Sequence, residues 1–204
     1  MANAPELESL LERCWNDYRS GKAKAALVAA EQALAADPDH GMAHFSKAVA
    51  LEALGEIAEA DRWFQRACQA RRHPQSPTCR VSGKIFKALV DACLESLPPP
   101  FSREVQEVHW HLADYPPWSV YDSYPEAGIG DEILGLFEGC DRSERWSHFD
   151  GPVTGPIISI WRRPLEHQCA DQDEFRHELR TTVLHEFGHY LGFDEDGVAA
   201  MGLD

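Results

Sequence analysis

No run of eighteen apolar residues occurs anywhere in the 204-residue sequence, so no membrane-spanning helix is expected. Positive charge is scarce. Nineteen Lys and Arg stand against 34 Asp and Glu, a net charge of −15, which argues against gripping the phosphates of DNA or RNA. The six cysteines, at 14, 68, 79, 93, 140 and 169, include no C-x-x-C pair, so neither a zinc finger nor a dense disulfide framework is expected. The first residues carry Glu6, Glu8 and Glu12 and no apolar stretch, which does not read as a secretory signal. Together these absences point to a reduced, cytoplasmic setting. The hydrophobic fraction, 44%, is that of an ordinary globular chain able to bury one or two cores.

The charge is unevenly spread. Residues 1–80 hold ten basic against eleven acidic side chains, whereas residues 81–204 hold nine against twenty-three, or −14. The first part also repeats itself. Gly21, Ala26, Ala33 and Leu34 recur as Gly55, Ala60, Ala67 and Cys68, each pair 34 residues apart. That is the tetratricopeptide period, and small residues at those points allow a tight turn and close helix packing. The segments 21–39 and 55–73 therefore resemble tetratricopeptide repeats. Four helices are expected at about 6–19, 23–36, 41–54 and 57–71.

His73-Pro74-Gln75-Ser76-Pro77 interrupts the helical pattern and reads as a linker between domains at 1–78 and 79–204. Beyond it the expectations are mixed. A helix over 81–97 is capped by Ser82 and stopped by Pro98-Pro99-Pro100. A strand over 105–113 has Val108, Trp110 and Leu112 inward, with Glu107, His109 and His111 outward. His109 and His111 read better as an exposed strand face than as ligands. Residues 114–130 and 140–155 read as loops, Ile133–Gly139 as a short strand and Ile157–Trp161 as a β-branched one.

From Asp173 to Leu191 the pattern is that of one amphipathic helix, with Phe175, Leu179, Val183 and Phe187 on a core stripe. Asp171 or Asp173 can cap its start, and Gly192 stands where a helix ends. On a different face this helix carries His185-Glu186-Phe187-Gly188-His189, an H-E-x-x-H sequence. Residues four apart stand one turn above each other, so both imidazoles can reach one metal ion while Glu186 reaches a water. Two histidine ligands and a carboxylate general base are the parts of a zinc hydrolase. Tyr190 follows directly and reads as a tyrosine at the edge of the core.

The stretches Phe86–Val90 running to Leu97-Pro98, Leu112–Pro116, Ile133–Gly139 and Ile160–Leu165 leading into Thr182–His189 resemble the bacterial minimal zincin-like metallopeptidase family. The resemblance implies an α+β chain, in which a helical repeat region precedes a small α/β domain with a mixed sheet and an H-E-x-x-H helix. It implies Zn²⁺ held by His185 and His189, Glu186 as general base, and hydrolysis of a peptide or protein substrate. In the related H-E-x-x-H-x-x-G-x-x-H/D pattern the third ligand lies ten residues after the first histidine, which here is Glu195 in place of the usual Asp. Asp194 and Asp196 flank it as substitutes, and His148 or His167 come next if the ligand lies upstream. The strand 157–161 is expected at a sheet edge, where an extended substrate could pair with it. A second reading keeps the fold but not the chemistry: a zincin-like binding module whose repeats hold a partner protein.

Overall fold

The computed structural model describes residues 4–99, 101–124, 132–140 and 155–200, and the chain divides into two compact units. The first runs to Thr78 and also takes in a segment that begins at Pro117; the second runs from Cys79 to Pro116 and resumes at Ile133.

In the first unit four helices follow one another: α1 (Ala4–Arg19), α2 (Ala23–Ala36), α3 (Gly41–Ala53) and α4 (Ile57–Gln69). The 34-residue period is realised in space. Ala26 and Ala60, and Ala33 and Ala67, are all completely buried, and Gly21 and Gly55 turn their helix pairs with φ of +72° and +83°. Large side chains fill what the alanines leave. Trp15 stacks on Phe45, and Phe45 meets Phe64 edge-on with centroids 5.3 Å apart. The region expected to be loop after residue 114 contains a 3-10 turn, Trp118–Ser123, and its Trp118 ring sits edge-on to Tyr18 at 5.3 Å.

The second unit opens with α5 (Gly83–Glu95), capped by the Ser82 hydroxyl, which accepts from Ile85 N–H. The strand expected over 105–113 is shorter than its alternation suggests. Phe101–Glu104 is a helical turn, α6, and Val105–Glu107 a 3-10 turn, so β1 spans only His109–Ala113. Val105 carbonyl accepts both Val108 N–H and the Trp110 indole, which closes the turn and delays the strand. After β1 come β2 (Gly135–Glu138) and β3 (Ile157–Trp161), followed by α7 (Arg162–Gln168), α8 (Gln172–Tyr190) and α9 (Glu195–Ala200). The helix α7 was not expected from the sequence. Pro164 sits in its first turn, where a missing N–H costs nothing.

The three strands lie in the order β1-β3-β2, with β1 parallel and β2 antiparallel to β3. The sheet is therefore mixed, as expected, but β3 is its centre. Ile157–Trp161 is paired on both sides, so the expected edge position for 157–161 is wrong; among the described residues β1 and β2 are the edges. Its fully buried Ile158 and Ile160 pack with Phe175, Leu179, Val183 and Phe187 of α8, each at most 3% exposed. Each such side chain contributes about 1.5–3 kcal/mol when removed from water. This stripe seats α8 on the sheet and leaves its other faces to carry the motif.

Glu166, fully buried in α7, ties the start of the unit to this core. It accepts from Val81 N–H at 2.9 Å, Arg80 at 2.9 Å and Arg163 at 2.7 Å.

Candidate metal centre

The helix that carries the motif is held at both ends. At its start Asp171 accepts from Asp173 N–H at 2.8 Å and Glu174 N–H at 3.0 Å, and Glu174 reaches back to Ala170 N–H at 2.8 Å. This reciprocal arrangement satisfies amides that the first helical turn leaves open. At its end Gly192 takes φ of +95°, Gly192 N–H donates to His189 carbonyl at 3.0 Å and Phe193 N–H donates to Gly188 carbonyl at 3.1 Å. Those two bonds make a Schellman turn, which needs a residue at ease with positive φ.

The same turn brings Phe193 carbonyl to 3.0 Å from His189 Nδ1. A carbonyl only accepts, so in the neutral ring Nδ1 carries the proton and Nε2 keeps its lone pair. That Nε2 lies 3.1 Å from the Nε2 of His185, with the two rings nearly perpendicular at 79°. Zinc–nitrogen bonds of about 2.0–2.1 Å at a tetrahedral angle place two nitrogens roughly 3.3 Å apart, so the pair fits a shared zinc ion. The turn that Gly192 makes thus does more than stop the helix: it places the Phe193 carbonyl, the backbone acceptor that orients the His189 ring.

Glu186 is buried at 9% exposure on the side of α8 that meets β2. Its approach depends on Gly135. A β-carbon on that residue would stand 2.9 Å from Glu186 Cγ, 3.2 Å from its Oε1 and 2.8 Å from the methyl of Thr182. Thr182 cannot easily withdraw, because its hydroxyl donates to Glu178 carbonyl at 2.9 Å. Gly135 was not singled out from the sequence. The signal was there, a glycine inside an apolar strand, which marks a close approach of backbone to another group.

The remaining candidates fall elsewhere. His109 and His111 are exposed on β1, with His111 Nδ1 at 3.4 Å from Ser159 Oγ. His167 is buried in α7, and His148 lies outside the described residues. Asp194 caps α9: its carboxylate accepts from Gly197 N–H at 2.9 Å, and Asp196 is exposed on that helix. Glu195 is the first residue of α9, and its side chain lies outside the described part. Among the described residues no group of three or more His, Cys, Asp or Glu is arranged to hold a metal, so His185 and His189 are a pair without a described third ligand. Tyr190 turns to the core, 1% exposed, with its hydroxyl donating to Glu104 at 3.2 Å and its ring against Phe187 and Phe137. The six cysteines are free. Burial pushes the thiols of Cys14 and Cys169 up to about 12 and that of Cys79 to about 11, which keeps them protonated and poor metal ligands.

Residues 105–203 match the family model of zincin-like metallopeptidases, and residues 12–77 match a tetratricopeptide repeat model. No curated protein matches the chain significantly. The first match takes in β1 to α8 with the histidine pair, and the second takes in the helical unit with its 34-residue period. The chain thus joins a tetratricopeptide repeat region at its N-terminus to a zincin-like metallopeptidase domain.

Proposed function

We propose that the second unit is a zinc-dependent peptidase, with His185 and His189 as metal ligands, Glu186 as general base and Glu195 as the third ligand. The observation that carries this reading is the pair of imidazole nitrogens 3.1 Å apart on one helix face, with a buried carboxylate on the next residue. Bound zinc supplies the Lewis acidity that activates a water and polarises a peptide carbonyl. Glu186 accepts the proton of the attacking water on a carboxylate oxygen and delivers it to the leaving nitrogen. Its buried seat against Gly135 holds that carboxylate in one place while the proton moves. Phe193 carbonyl keeps the His189 ring oriented through the same steps. For the third ligand, the support is spacing: Gly192 reverses the chain and Glu195 follows three residues later. Asp194 and Asp196 remain the substitutes.

The substrate is a peptide or protein in extended form, and β2 suits it. In the ladder with β3, Trp161 N–H donates to Leu134 carbonyl, so Leu134, Leu136 and Glu138 bond inward while Gly135 and Phe137 present their main-chain groups outward. Gly135 is also the residue that touches Glu186, so a strand laid along this edge passes the general base. The repeat region favours an added role in holding a partner protein, since tetratricopeptide units bury one face on their neighbours and offer another.

The test is Glu186→Gln. Zinc content and fold should persist while hydrolysis of a peptide library falls by the ~10²–10⁴-fold expected for loss of a general base. Unchanged turnover would remove Glu186 from the mechanism. Absence of any wild-type turnover in the zinc-loaded protein would favour the non-catalytic binding module instead.

A further inference from the structure

The edge of the sheet far from β2 has a site of its own. Among the described residues strand β1 pairs only with β3, and His109 N–H donates to Pro156 carbonyl at 2.9 Å. In a parallel ladder alternate residues bond to the neighbour, so His109, His111 and Ala113 face β3. The N–H and C=O of Trp110 and Leu112 therefore point away from the sheet, and among the described residues they have no partner. They open into a groove of about 570 Å³ between β1 and α5. That volume lies within the ~300–1,000 Å³ of ligand clefts. Phe86, Val90 and Leu94 of α5 stand on its far side at a spacing of four; Phe86 and Val90 are already buried in the core, and Leu94 is half-buried and faces the groove.

We propose that this groove takes up an extended peptide segment of a partner protein, added to the sheet as a fourth strand beside β1. Three features select that occupant. Main-chain donors and acceptors two residues apart, about 6.6 Å along the strand, match the repeat of another strand. The charges on the rim are already matched within the chain. Lys87 pairs with Asp91, and Asp114 with Arg162, both at 2.7 Å. The complementary ligand is consequently uncharged where it enters, with apolar side chains at alternate positions against α5 and small polar ones on the opposite face beside the exposed His111. Finally, the edge is preorganised, since Trp110 is anchored by its indole to Val105 carbonyl at 3.2 Å. A second copy of the chain fits less well, because its β1 would bring its own α5 along with it. The proposal does not depend on peptidase activity. It concerns the opposite edge of the sheet from Glu186.

The experiment is fluorescence anisotropy of the full chain with a panel of fluorescein-labelled heptapeptides in which Val or Leu alternates with Thr between uncharged terminal Ser residues. Saturable binding by at least one is expected. N-methylation of the alternate backbone nitrogens that face β1 should weaken it about tenfold or more, the loss of one or two main-chain hydrogen bonds, while methylation of the other set should not. Leu112→Pro should have the same effect as the first set. It removes an outward N–H, which an edge strand tolerates, and Leu112→Ala, which truncates the same core-packed side chain but keeps the N–H, should bind as the wild type does. The proposal is overturned if no peptide of the panel saturates, if both methylated sets bind equally, or if sedimentation velocity shows a dimer that Leu112→Pro abolishes.

Discussion

Gly135→Ala is the sharpest probe of how the site is built. Gly135 lies in β2 with an ordinary extended backbone, so alanine meets no conformational penalty there and its effect is purely steric. The added β-carbon would sit 2.8 Å from the Thr182 methyl and 2.9 Å from Glu186 Cγ. Carbon atoms rest at about 3.5–4.0 Å, so something must yield by roughly 0.6–1 Å. Thr182 is β-branched within a helix and is held by its bond to Glu178 carbonyl, which leaves it little room to rotate. Glu186 therefore moves. Overpacking of this kind costs about 1–3 kcal/mol, or roughly 4–13 °C in the melting temperature of the second unit. A general base displaced by about 1 Å costs about 10²-fold in kcat. The atoms nearest an added β-carbon belong to Thr182 and Glu186, so zinc binding should be unchanged. The assay compares zinc content, thermal melting and peptide hydrolysis in the wild type, Gly135→Ala and Gly135→Ala combined with Thr182→Ser, which removes the nearest methyl and should restore part of the loss. Wild-type melting and turnover in Gly135→Ala would refute the close approach of β2 to Glu186.

Other perturbations separate the parts of the centre. Zinc titration of His185→Ala and His189→Ala should show binding lost in both; among Asp194→Ala, Glu195→Ala and Asp196→Ala, the second should weaken it most, and equal affinity in all three would move the third ligand upstream. Gly192→Ala should destabilise the protein by about 1 kcal/mol or more through positive φ, and should weaken zinc about 10–100-fold by disturbing the Phe193 carbonyl that holds His189. Wild-type zinc affinity in that variant would break the link between the turn and the ligand. A fragment 79–204 would carry Val120 and Tyr121 without Tyr18 and the rest of the first unit, so it should bind a hydrophobic dye and melt below the full chain, as differential scanning would show.

Local periodicity made most of the helices legible. The expected span 23–36 is the observed α2, and the stripe Phe175, Leu179, Val183 and Phe187 is the buried face of α8. An i,i+4 pair on a helix is also a local fact, so His185 and His189 could be brought together from the sequence alone. So could the end at Gly192, because a Schellman turn is made within six residues. What the sequence could not carry was the choice among distant partners. Alternation identified Ile157–Trp161 as a strand but not as the central one, since pairing order depends on which edges meet after the chain has folded. The apolar alternation through 105–113 hid a turn that the Val105 carbonyl closes through the Trp110 side chain. Gly135 and Glu186 are 51 positions apart, and their contact exists only because α8 lies across β2. Hydrophobic period reports one element's geometry. The seat of Glu186 is set by the approach of two elements, and only the tertiary structure decides that.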